Sequence, residues 1–284
     1  LHLRTVRLFG HAGADAEVAY RSKQEIALDS ERDPLLHSCA ALISRGLFNH
    51  QQLIEFIQSH QQRIARIATQ ASKQPKLETA EQVMSGTRAA YALCRPPGHH
   101  AMRDCSNGFC FFNNACIAAH HMTSAFNKVA LIDIDVHTGN GSLDILYERD
   151  DIFFCSLHPD PATYPTFYLG HADETGAGAG AGKSLNILLE QGASQDEVLA
   201  ALDRGIAAIQ DFGADALVVS LGFDMAADDP LAAVAVYPDG FAEMARRLAA
   251  MNLPTALVQE GGYLGPSLAD NAKAFLTTFR EATR

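Results

Sequence analysis

The chain has 284 residues, 48% of them hydrophobic, and a formal net charge of −11 at pH 7. That length and apolar content suffice for one large domain over residues 1–284, while the acidic balance argues against a nucleic-acid binder, which carries a basic face. It suits solubility and a small cationic substrate; no apolar run approaches the roughly 18 residues of a membrane span, so no membrane partner is expected.

Residues 50–58 carry a helix-like pattern. Beyond residue 90, apolar runs alternate with helical periodicity: strands are expected at 91–94, 129–134, 152–157, 216–221 and 255–258, and helices near 114–126, 142–148, 195–212, 238–250 and 267–279. Such alternation implies βαβ units and an α/β protein of three layers, α/β/α, around a central, mostly parallel sheet. The runs at 216–221 and 255–258 are continuously apolar, as strands buried on both faces are. Cys94, Cys116 and Cys155 fall within these elements, and Cys110 just before one, rather than in spaced loops. With no CxxC pair among the six cysteines, the thiols read as reduced and the setting as cytoplasmic.

In open α/β sheets ligands sit beyond the carboxyl ends of the strands. After 91–94 come Arg95, Pro96, Pro97, Gly98, His99 and His100, where two prolines stiffen the loop that carries the imidazoles. The strand at 129–134 runs into Asp133, Asp135 and His137, and the period of two presents them in register before Gly139 and Gly141 break the strand. Asp224 follows 216–221, and Gln259, Glu260, Gly261, Gly262 and Tyr263 follow 255–258. Carboxylates and imidazoles are thereby aimed at one edge of the sheet, as a metal site requires. Each also has a structural reading, as a loop cap, a solvated histidine or a half-buried tyrosine.

Together the motifs RPPGHHA, GFCFFNNACIAA, DIDVHTGNG, SLHPDP, GFDMAADDPL and QEGGY resemble the zinc-dependent histone deacetylase superfamily, and residues 164–182 are most similar to its bacterial acetylpolyamine amidohydrolases. The resemblance implies the arginase/deacetylase fold and removal of an acetyl group from an amine. It assigns Zn2+ to Asp135, His137 and Asp224, with iron(II), cobalt and manganese as substitutes the oxygen and nitrogen donors also suit. His99 is then paired with Asp133, His100 faces Asn140 as general base, and Tyr263 donates to the oxyanion. Phe109 and Tyr164 match channel walls. Ser156 and Leu157, with the backbone of Asp133, Asp135 and His137, match a K+ site. A small cationic acetylated amine is the implied partner, and a homodimer the candidate assembly.

Two departures stand out. Thr138 replaces the family's second histidine and resembles an arginase-type ureohydrolase, but Gly139 and Ala226 stand where that class places the aspartates of a second metal. Residues 73–86 do not supply the family's acidic rim. The alternatives are an acetyl-lysine peptide deacetylase, a ureohydrolase-like metal hydrolase and a catalytically silent binding module.

Overall fold

The computed structural model of the chain describes residues 22–31, 34–72, 88–164, 169–231 and 233–283; the 73–86 segment discussed above lies outside them. Two compact units divide near residue 76. In the first, three helices are described: α1 (Lys23–Ser30), α2 (Pro34–Ser44) and α3 (His50–Ser72). The 50–58 pattern opens α3. Its start is fixed by a reciprocal cap, with Asn49 Oδ1 accepting the Gln52 N–H and Gln52 Oε1 accepting the Asn49 N–H.

The second unit is built on a six-stranded sheet in the order β1-β8-β6-β2-β3-β4, every pairing parallel. The strands are β1 (Ala89–Ala92), β2 (Val129–Asp133), β3 (Ile152–Pro159), β4 (Ser184–Leu189), β6 (Ala216–Leu221) and β8 (Thr255–Gln259); the two-residue β5 (Ala193–Ser194) and β7 (Val234–Ala235) pair separately. The helices are α4 (Asn114–Met122), α5 (Asn140–Leu146), α6 (Gln195–Phe212), α7 (Pro238–Ala250) and α8 (Leu268–Ala282). One sheet face buries Ile132, Leu157, Val219 and Leu257 with residues of α6, α7 and α8; the other buries Leu131, Phe154 and Val218 with residues of α4 and α5. This is the expected three-layer arrangement, and β2, β3 and β6 are buried along their whole length.

Some boundaries differ from expectation. β1 begins at Ala89 and ends before Cys94, because Pro96 and Pro97 have no N–H to give a ladder. Helix α4 stops at Met122, where the Thr123 and Ser124 hydroxyls bond the carbonyls of His120 and His121. β4 was not anticipated: its inward-facing Ser184 and Asn186 blur the apolar run, and the glycine-rich 176–182 stretch before it reads as loop. All six cysteines are free thiols. Among the described residues no helix is long and apolar enough to cross a membrane.

Candidate metal centre and active site

Four strands whose ends carry the motifs, β1, β8, β6 and β2, are consecutive neighbours in the sheet. Their following loops must therefore meet. Asp135, His137 and Asp224 are buried and offer three ligand atoms lying within 4.8 Å of one another, the one such group of metal-ligating side chains among the described residues. His137 Nδ1 is 3.1 Å from Asp135 Oδ1 and 3.0 Å from Asp224 Oδ2.

The backbone orients these carboxylates. Asp135 Oδ1 accepts the His137 N–H at 2.9 Å, Asp135 Oδ2 the Gly261 N–H at 2.7 Å, and Asp224 Oδ1 the Val136 N–H at 2.9 Å. Such partners fix ligand direction before any ion arrives. Gly261 is required by closeness: a Cβ there would lie 2.5 Å from Oδ2 of both Asp135 and Asp224.

Electrostatics point the same way. Burial raises Asp224 to a pKa of about 7, helped by the charge of Asp135. Burial also acts to raise Asp135, but His99 and His137 outweigh it and hold its pKa low. His137 is pushed up to about 11 despite burial, because both carboxylates face it. Two buried carboxylates and one imidazole this close hold protons between them, and the donor set fits a divalent cation. Binding must displace those protons, so affinity is expected to weaken as pH falls from about 8 to 6, by about tenfold per pH unit for each proton displaced. Above the Asp224 pKa of about 7 the slope should fall to that of the one proton His137 still holds. Competition titration against a chelating dye at several pH values checks this.

The paired histidines lie beside the triad, ring centroids 3.9 Å apart and planes tilted by 36°. His99 Nδ1 lies 3.0 Å from Asp133 Oδ2, and His100 Nδ1 lies 2.7 Å from Asn140 Oδ1. Their charge states differ. Burial opposes charge on His99, yet Asp135 and Asp133 outweigh it and raise its pKa to about 10. Burial and the adjacent His99 lower His100 to about 3. A neutral His100 donating from Nδ1 to the amide oxygen assigned to Asn140 keeps its lone pair on Nε2.

Around His137 stand three rings: His100, Tyr164 and Tyr263, at centroid distances of 6.1, 6.2 and 6.4 Å. The Tyr263 hydroxyl is raised to about 12 by burial and by Asp224, so it stays protonated. Its backbone N–H is tied to Asp229 Oδ2 at 2.8 Å. Asp229 Oδ1 accepts the Leu231 N–H, whose carbonyl takes the Tyr164 hydroxyl at 3.2 Å. One buried carboxylate thus links both tyrosines. Phe109 is 78% exposed and adopts φ +66°, a rare conformation for a residue with a side chain. With Tyr263, Glu260 and Arg95 it lines a cavity of about 500 Å3.

Ser156 lies in register with Asp133 on β2. Its Oγ is 2.8 Å from His158 Nδ1, and His158 Nε2 is 2.9 Å from the Gly170 carbonyl. Since Nε2 must donate to that carbonyl, Nδ1 accepts, and the Ser156 hydroxyl donates while keeping its lone pairs. The Leu157 side chain joins the opposite-face core.

Sequence reasoning passed over Glu260, which is 5% exposed and bonds the backbone of the histidine loop. The signal was present: an acidic residue closing an apolar strand is costly unless satisfied. Asp229 carries no role in that reading either.

A parallel three-layer α/β fold with a buried Asp-His-Asp cluster beyond its strand ends defines a metal-binding enzyme-like scaffold. The histone deacetylase domain model matches residues 36–279, and the chain belongs to that family; its fold implies a divalent metal. An acetylpolyamine amidohydrolase of Burkholderia pseudomallei (strain 1710b) is 44% identical over 208 residues, 73% of this chain and 61% of that protein. One from Mycoplana ramosa is 42% identical over 205 residues, 72% of this chain and 60% of that protein. The chain therefore spans less than two thirds of their length. The crystal structure of the acetylpolyamine aminohydrolase from Burkholderia pseudomallei superposes with a TM-score of 0.67 at 44% identity, covering 70% of this chain and 58% of that one.

Proposed function

We propose that this chain is a single-metal amidohydrolase that removes acetyl groups from amines, with acetylated polyamines as its substrate class. The observation that carries it is the convergence of the buried Asp135, His137 and Asp224 with a neutral His100 and a protonated Tyr263. The names of the Burkholderia and Mycoplana relatives support the substrate class. The family match runs across the boundary between the two units, which supports reading residues 1–284 as one deacetylase-like catalytic domain. Zinc suits the donor set, with iron(II), cobalt and manganese as substitutes. K+ on the carbonyls of Asp133, Asp135, His137 and Leu157 is supported by the lone pairs left on Ser156. The six free thiols accord with a cytoplasmic setting.

Asp135, His137 and Asp224 would hold a divalent cation, which would supply Lewis-acid polarisation of the amide carbonyl and acidify water. His100 takes a proton from the attacking water and gives it to the leaving amine. The charge His99 carries beside it lowers the basicity of His100, which eases the second step. Tyr263 donates its hydroxyl to the oxyanion that forms, and Phe109 and Tyr164 flank the substrate's aliphatic linker. Tyr263→Phe is expected to lower kcat by about 10²–10³-fold with little change in KM, because such a donor acts mainly in the transition state. Steady-state kinetics with an unchanged kcat would remove Tyr263 from the mechanism.

Substrate class is tested by kcat/KM for acetylputrescine and for an acetyl-lysine peptide at low and high salt. The acidic chain should favour the polyamine, with an advantage that shrinks as salt screens it. A peptide preference at both salts would refute the polyamine assignment and leave the chemistry intact.

A further inference from the structure

Glu260 directly follows β8, and the mechanism above gives it no task. Its Oε2 accepts two consecutive backbone amides of the histidine loop, Gly98 N–H at 2.6 Å and His99 N–H at 3.0 Å. The other oxygen, Oε1, is buried with no hydrogen-bond partner. A buried carboxylate is costly, and both hydrogen bonds that this one accepts come from that loop. The His99 carbonyl is meanwhile held by the Gly141 and Ser142 N–H groups at 3.0 and 3.1 Å, in the first turn of α5. The peptide groups on either side of His99 are thus gripped by α5 from one side and by Glu260 from the other. Three residues span the rest of the site: next to Glu260, Gly261 donates to Asp135 Oδ2 at 2.7 Å, and Tyr263 follows two positions on.

We infer that Glu260 is a positioning residue: it sets where the His99–His100 loop stands relative to the metal ligands and Tyr263, through the reach of one oxygen rather than through charge. The inference rests on the amidohydrolase reading above. It separates two conservative variants. Burial raises Glu260 to a pKa of about 7, so the comparison is made above about pH 8, where the carboxylate is charged. There Glu260→Gln keeps the reach and loses the charge, its amide NH2 falling where Oε1 has no partner to lose. Glu260→Asp keeps the charge and draws the acceptor back from the two amides.

The experiment compares both variants with the wild type as full-length, metal-loaded protein, reading kcat and KM on acetylputrescine, metal per chain, and the proton NMR signal of the His99 Nδ1–H that faces Asp133. Misplacing catalytic groups by about an ångström can cost about 10²-fold. Glu260→Asp should therefore lose about 10–10²-fold in kcat at similar KM and metal content, with the imidazole N–H signal shifted or lost. Glu260→Gln should stay within about threefold and keep the signal. An active Asp variant with an impaired Gln variant would overturn the inference in favour of a charge role, and two variants both like wild type would overturn it outright. If the wild type releases no acetate, the amidohydrolase reading fails separately, and the N–H signals of the two variants still decide the positioning claim.

Discussion

His100→Ala is expected to lower kcat for amide hydrolysis by about 10²–10⁴-fold, the range that general acid–base help contributes, while the divalent metal stays bound. His100 is not one of the three clustered donors, and its Nδ1 is committed to Asn140 at 2.7 Å. The His100 pKa of about 3 keeps the ring neutral across the working range. Removing it deletes a proton carrier and leaves Asp135, His137 and Asp224 untouched. Elemental analysis beside steady-state kinetics checks both halves, and loss of metal with the histidine would make His100 a ligand instead.

Asp224→Ala should abolish both metal retention and turnover. Asp224 supplies one of three protein donors and is fully buried. Loss of an outer partner of a metal ligand typically costs 10–100-fold in affinity, and loss of a ligand itself should exceed about 10²-fold. The Val136 N–H it accepts at 2.9 Å would also lose its partner, so the 135–137 turn should loosen. Dialysis followed by metal analysis reads the result directly. Stoichiometric metal in the variant would exclude Asp224 from the ligand set.

Much of the site was legible because it rests on local rules. Each motif followed an apolar run long enough to be recognised as a strand, but β2 ends at Asp133, so Asp135 and His137 sit in the bend beyond it rather than in register along the strand. Order in the sheet was not local. That β1, β8, β6 and β2 are neighbours is set by pairings across up to 166 positions of chain, such as Ala89 with Thr255, which no window of sequence contains. β4 was obscured for a related reason, since Asn186 faces inward only because Ser156 and Asp133 continue a polar row on the same sheet face. The opposite charge states of His99 and His100 were legible only as a possibility; burial and the distances to Asp133 and Asn140 decide them. Glu260 and Asp229 went unassigned because their partners are backbone amides of distant loops, 162 and 34 positions away, and backbone partners leave no residue-type signature.

Acetate release from acetylputrescine by the chelated and then metal-titrated protein tests the central claim most directly. The account predicts no release after chelation and full recovery at one divalent ion per chain. Recovery that requires two ions, or a chain that holds its metal and releases no acetate from any acetylated amine, would contradict it.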